Sequence, residues 1–190
     1  MDAWPSDPDL TPLGYVGPEA TDVLGLSYLG DDAKLSELLA QGVSRAFVAL
    51  GSNDVRRLVA NGCQELGLGL VTIVSPTAQV APTATLGEGT IVMRGAIVGA
   101  NARVGRGVIV NTGATVDHDC VIGDFAHIAP GVNIAGTVTV GEGTLVGIGA
   151  SIIPNIQIGE RAVVGAGAVV VRDVAAGATV VSAPAKELER

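Results

Sequence analysis

Every sixth residue from Val74 to Val170 is Val, Leu or Ile, seventeen positions in unbroken phase. Two residues before each stands, in most cases, a small or β-branched residue: Ala78, Ala84, Thr90, Ala96, Ala102, Ala114, Cys120, Ala126, Ala150 and Ala162. The residue just after is Gly in eight cases, including Gly87, Gly99, Gly105, Gly123, Gly141 and Gly165. Residues i and i−2 of a strand share one side, so a small and a large side chain point inward together. The Gly at i+1 predicts a tight corner of unusual φ. A strand and a corner repeating every six residues describe one side of a coiled prism, a parallel β-helix. Three sides per coil give between five and six coils, about 27 Å of prism at one strand spacing each.

Ahead of this repeat the periodicity changes. "DDAKLSELLAQG" predicts a helix with Asp31 or Asp32 as N-cap and Gly42 at its end. "SNDVRRLVANGCQELG" predicts a second helix, started by Ser52 or Asn53. Between them "SRAFVALG" reads as a buried strand, and "LGLVTIV" as a strand feeding the prism. "GYVG" fits a short strand. The expected organisation is a flexible tail over 1–13, a small Rossmann-like α/β domain over 14–74, and the β-helix with a C-terminal cap over 75–190.

Composition narrows the function classes. Aromatics are 3% of the 190 residues, so Val, Ile, Leu and Ala must build the core. The net charge of −8 argues against a nucleic-acid surface. The start "MDAWPSDPDLTPLG" lacks the basic and apolar regions of a signal peptide, and no apolar run is long enough to span a membrane. With two cysteines, Cys63 and Cys120, a disulfide framework is not expected, and a reducing cytoplasm fits. Cys120 falls on the small inward position and reads as a core thiol.

Both histidines of the chain lie in "VDHDCVIGDFAHIAPG". His118 is two past Val116, outside the inward set, and flanked by Asp117 and Asp119. A His can remove a proton near neutral pH, and an adjacent carboxylate holds its tautomer and raises its basicity. One coil onward is Gly136, expected directly beside His118. His127 is half a coil from His118 and therefore on another side. Asp117 occupies the i+1 corner and has a purely structural explanation as a turn residue.

The order "AFVALGSNDVRRLV", "TIVSPTAQVAPTA", "VNTGATVDHDCVIGDFAHIAPG", "SAPAKEL" resembles the hexapeptide-repeat sugar N-acetyltransferases of the PglD/NeuD type, over about residues 14–188. The resemblance implies a left-handed β-helix and transfer of acetyl from acetyl-CoA to the amino group of a nucleotide-linked, 4-amino-deoxy sugar. It implies a homotrimer with sites between subunits. On it, His118 is the general base and Asp119 its tuner. His127, Gly136, Ile148 and Ala166 meet acetyl-CoA, which is a co-substrate, with no metal involved. Gly51 matches a sugar-nucleotide contact. Arg172 and Lys186 are candidates for the CoA phosphates, with surface solvation the plainer role. The family's usual G-x-G-G-H-G loop, and an Asp-Asp pair after its second strand, have no counterpart in this sequence.

Three other readings stand beside this one. γ-Class carbonic anhydrases share the β-helix but need three histidines per zinc, and this chain has two. A trimeric scaffold without turnover is a second. An O-acetyltransferase acting on sialic acid or another small sugar is a third, and it would still use His118.

Overall fold

The computed structural model describes residues 10–23 and 25–182. The prism is present with the expected phase. Each of the seventeen hexad residues is the second residue of a two-residue strand, from Ile73–Val74 to Val169–Val170. Thr179–Val180 adds one more rung out of phase. The strands stack in parallel into three sheets of six, five and seven strands, the three faces of a coil of about six turns. Register is strict: Thr115 and Val116 pair with Asn133 and Ile134 above and with Ile97 and Val98 below. Within the prism, strands consecutive in sequence do not pair with each other; each pairs with the strand one coil away.

The core is the inward column. Ala114, Val116, Cys120, Ile122, Ala126 and Ile128 form one coil's interior, all essentially inaccessible to solvent. Full burial of each Val or Ile contributes about 1.5–3 kcal/mol. Polar residues in this column are satisfied within it. Thr90 Oγ1 donates to Gly105 O and Thr144 Oγ1 to Gly159 O, both at 2.7 Å. Cys120 Sγ donates to Ala135 O at 3.2 Å, and both cysteines are buried and free.

The corners differ from expectation. The Gly after each inward residue does not carry the positive φ. That angle belongs two residues later, as at Gly113, Asp119 and Phe125, with φ of +64°, +58° and +54°. Gly123 is required for space instead: a Cβ there would lie 2.5 Å from Glu142 N in the next coil. The left-handed slot recurs every six residues from Gly89 to Gly167. At the corner joining the six- and five-stranded faces it is held by Asn101, Asp119, Thr137 and Asn155 rather than by Gly.

The N-terminal region is also more fragmentary than the pattern suggested. Within "SRAFVALG" only Arg45–Ala46 forms a strand, and its residues are exposed or half-buried rather than buried. It pairs in parallel with Gly69–Leu70. "LGLVTIV" is accordingly two short strands, the second of which, Ile73–Val74, is already a rung of the seven-stranded face. In "GYVG" Tyr15 makes a single parallel bridge to Tyr28. The first helix opens as a 3-10 turn, Asp32–Lys34, capped by Asp31 Oδ1 accepting from Ala33 N, and continues as α1, Leu35–Ala40. The second, α2, spans Asn53–Glu65 with Ser52 at the N-cap, although the Ser52 side chain makes no capping bond.

Helix α2 is fastened to the prism by a buried arginine. Arg56 is 2% exposed. Its Nε donates to Gly107 O at 2.7 Å and Nη2 to Phe125 O at 2.8 Å, while Nη1 donates to Leu50 O at 3.0 Å. Burial pulls its pKa down to about 10, so the guanidinium still carries its charge at neutral pH. Asn53 Nδ2 donating to Gly143 O at 2.9 Å and the Arg57–Glu142 ion pair at 3.2 Å extend the seam. No helix among the described residues is long and apolar enough to cross a membrane.

Candidate active site

His118 stands at the corner between the strands Thr115–Val116 and Val121–Ile122. The inward demand of Val116 and Cys120 leaves its ring outside, with 57% of the side chain exposed. Its Nδ1 and Asp119 Oδ2 are 2.8 Å apart. Asp119 reaches it because the left-handed backbone at 119 folds the carboxylate back toward the preceding residue. Asp117 caps the same corner, its Oδ1 accepting from His118 N at 2.7 Å. With Nδ1–H donated to the carboxylate, Nε2 is the nitrogen that presents a lone pair. The bond to Asp119, and next the charge of Asp117, hold the His118 pKa above its ordinary value. Asp119 is lowered, first by His118 and then by a hydrogen bond from Asn101.

Gly136 lies one coil above, under the ring. A Cβ there would be 2.5 Å from both Cε1 and Nε2 of His118. The expected neighbourhood of these two residues is thus present.

His127 is on the seven-stranded face, away from the His118 corner. Thr112 N donates to Asn111 Oδ1 at 2.8 Å, which orients the Asn111 amide so that Nδ2 donates to His127 Nε2 at 3.1 Å. Nδ1 therefore carries the proton, and the Gly51 backbone hydrogen-bonds the ring. Burial first, and the Arg56 charge second, push the His127 pKa down. This histidine is a neutral, fixed ring at pH 7.

Ile148, 61% exposed, and the exposed Ala166 sit one above the other at the corner between the seven- and six-stranded faces, where Gly167 N donates to Ile148 O at 2.8 Å. Gly51 is beside His127 and α2, its carbonyl accepting from Arg56 Nη1 at 3.2 Å. The sequence-predicted residues thus fall into two groups in one chain. His118, Asp119 and Gly136 share one corner; His127 and Gly51 share a face, with Ile148 and Ala166 along its far edge. Arg172 is exposed, and Lys186 lies outside the described residues. Among the described residues no three His, Cys, Asp or Glu side chains are grouped to hold a metal ion.

Sequence reasoning missed Asn101, Asn111 and Arg56. Asn101 had a signal, since counting one coil back from Asp119 reaches it. Arg56 had none beyond being a charge within a helix pattern.

Residues 137–172 match the bacterial transferase hexapeptide family of six repeats. A solved structure of perosamine N-acetyltransferase from Caulobacter crescentus, a histidine-to-asparagine variant in complex with CoA and GDP-perosamine, is 42% identical; the likeness covers 88% of this chain and 80% of that one, with a TM-score of 0.84. The chain belongs to the hexapeptide-repeat sugar N-acetyltransferases. The acetyltransferase domain of PglB from Neisseria gonorrhoeae is 38% identical over 90% of this chain and 84% of that chain, with a TM-score of 0.83. WeeI from Acinetobacter baumannii is 27% identical over 90% and 82%, with a TM-score of 0.75. No curated protein sequence matches the chain. The chain is accordingly an acyltransferase.

Proposed function

We propose that the protein transfers acetyl from acetyl-CoA to the amino group of a nucleotide-linked amino sugar, with His118 as the general base. The observation that carries this reading is the His118–Asp119 pair: Nδ1 is engaged by the carboxylate and Nε2 is presented outward above Gly136. The 42% identity to an enzyme solved with CoA and GDP-perosamine supports the choice of substrates.

The chemistry follows from that geometry. The sugar amine attacks the thioester carbonyl carbon while His118 Nε2 takes its proton; a C–N bond forms and the carbonyl electrons move to oxygen. The oxyanion is assigned to the backbone N–H of Gly136, which lies against the His118 ring. Collapse of the intermediate breaks the C–S bond, and the CoA thiolate receives the proton held by His118. Asp119 stabilises the imidazolium in between and keeps the ring in its productive tautomer.

The second group of residues needs a neighbour. His127, Ile148 and Ala166 lie at a different edge of the prism from His118, so acetyl-CoA held by them reaches the base of another copy. Exposed apolar side chains on and beside the six-stranded face, Ile97, Ile148 and Val169, supply a surface for that contact. The assembly is a homotrimer with each site between two subunits.

The test is acetyl-CoA consumption measured across nucleotide-linked amino sugars, free amino sugars and sialic acids, with His118→Ala beside the native chain. Turnover confined to amino sugars, and lost in the variant, supports the reading. Turnover only of hydroxyl acceptors makes it an O-acetyltransferase, and full activity in the variant removes His118 as base. A monomer in sedimentation removes the shared site.

A further inference from the structure

The corner that carries His118 is one of a column of equivalent corners, and the residue one coil below Asp119 is Asn101. Both occupy the left-handed slot, with φ of +58°. Asn101 Nδ2 donates to Asp119 Oδ1 at 3.1 Å, while the other oxygen, Oδ2, faces His118 Nδ1 at 2.8 Å. The two carboxylate oxygens are thus divided between two partners, one per coil. Asn101 is itself held from below: its N–H donates to the Thr83 hydroxyl at 3.0 Å. The equivalent N–H groups higher in the column donate to backbone carbonyls, as Asp119 N does to Ala100 O. Three successive coils therefore form one line, Thr83, Asn101, Asp119, ending on the ring of His118.

We propose that Asn101 is a positioning residue for catalysis, fixing the rotamer of Asp119 so that its Oδ2 stays on His118 Nδ1. The proposal rests on His118 being the base. A half-exposed carboxylate left to itself samples its rotamers in water; an amide donor on one oxygen holds the other in place. An Asn in this slot also has a plain backbone explanation, because Asn tolerates positive φ better than most residues. That explanation predicts nothing for catalysis, and the two are separable.

The charged groups that face His118 are few. Asp117 and Asp119 lie on its own corner, and Gly136 of the coil above packs against the ring. From the coil below, Arg103 acts on Asp119. Asn101 is uncharged, so its removal alters placement and not the charge of the site.

The experiment compares Asn101→Gly with Asn101→Asp. Gly suits the left-handed slot, so the fold is kept while the amide is lost. Asp keeps the shape and places a second carboxylate against Asp119. The pKa of His118 is read directly by NMR of imidazole Cε1–H in the ligand-free protein, assigned through His118→Ala; the chain has only two histidines. With Asn101→Gly the His118 pKa falls, and kcat drops about tenfold with both KM values unchanged. With Asn101→Asp the pKa rises. If Asn101→Gly leaves the His118 pKa as it is in the native chain, the proposal is overturned. The NMR arm needs no acetyl acceptor. Failure of the proposed reaction therefore leaves the pKa result standing, and an unmoved pKa in an active enzyme sinks only the role of Asn101.

Discussion

Gly136 and His118 occupy successive coils of one corner, and the imidazole covers the space that a side chain at 136 would need, 2.5 Å from Cε1 and Nε2. Gly136→Ala must therefore push the ring off its place. The expected result is a loss of kcat of about 10²-fold, the scale of a misplaced catalytic group, with a smaller change in melting temperature. Gly62 in α2, which has open space around its Cβ direction and no positive φ, is the control for the Gly-to-Ala change alone. Equal kcat losses in both alanine variants would separate Gly136 from the ring.

Removing the base is the most direct intervention. His118→Ala should lower kcat/KM by about 10²–10⁴-fold, the usual contribution of a positioned proton acceptor. His118 is exposed and its backbone lies in a hydrogen-bonded corner, so circular dichroism should show an unchanged β-helix.

The pH profile carries a sign that can be checked. Asp119 and Asp117 favour the protonated ring, so the His118 pKa stands above the ordinary 6.5. The reactive form is the unprotonated one, so kcat/KM rises with pH through this raised value. Asp119→Asn removes the favouring charge, and the acid limb should shift to lower pH while the plateau falls, because a less basic ring is a weaker base. A limb that stays in place would show that another group titrates there.

Thr137 offers a gain of stability. It is exposed and β-branched, and it holds the left-handed slot with φ of +63°. Such a residue is strained there by about 1–2 kcal/mol. Thr137→Asn relieves part of this, and urea unfolding should show an increase of about 0.5–1 kcal/mol. A lower midpoint would mean that the Thr137 side chain makes a contribution the corner geometry does not reveal.

Arg56→Met tests the seam between α2 and the prism. The substitution leaves the Gly107, Phe125, Leu50 and Gly51 carbonyls without this donor. Each such orphan costs on the order of 1–3 kcal/mol when it stays buried. Amide hydrogen exchange in Asn53–Glu65 should accelerate strongly while the prism strands keep their protection. Unchanged exchange in α2 would show that the helix is held by its apolar contacts alone.

The prism was legible in the sequence because its inward column answers to packing alone: Val116, Ile122 and Ile128 have no other task, so their period is undisturbed. The glycines were legible in place but not in cause. Gly113 and Gly123 carry the same letter for two reasons, a positive φ in one and a missing Cβ in the other, and a sequence does not separate them. The N-terminal strand failed differently. "SRAFVALG" has a strand's apolar run, but its partner Gly69–Leu70 is two residues long, and strand extent is set by the partner. In the site, His118 and Asp119 were legible as neighbours in the sequence, and Gly136 followed from counting one coil upward. Asn101 would have followed from counting one coil downward, and Asn111 was hidden because its partner His127 lies on the next coil but not in the same register position.

The strict pairing of each residue with the one a coil away turns chain length into height along the prism axis. Inserting one whole coil above His118 would raise everything beyond it by about 4.8 Å and leave every side chain on its own face. Inserting a single hexad would turn the upper part by a third of a revolution and carry Gly136 to another side. In such a scaffold the reach between substrate-holding and proton-accepting groups changes only in whole steps. A loop-built active site can drift; this one can only be re-indexed.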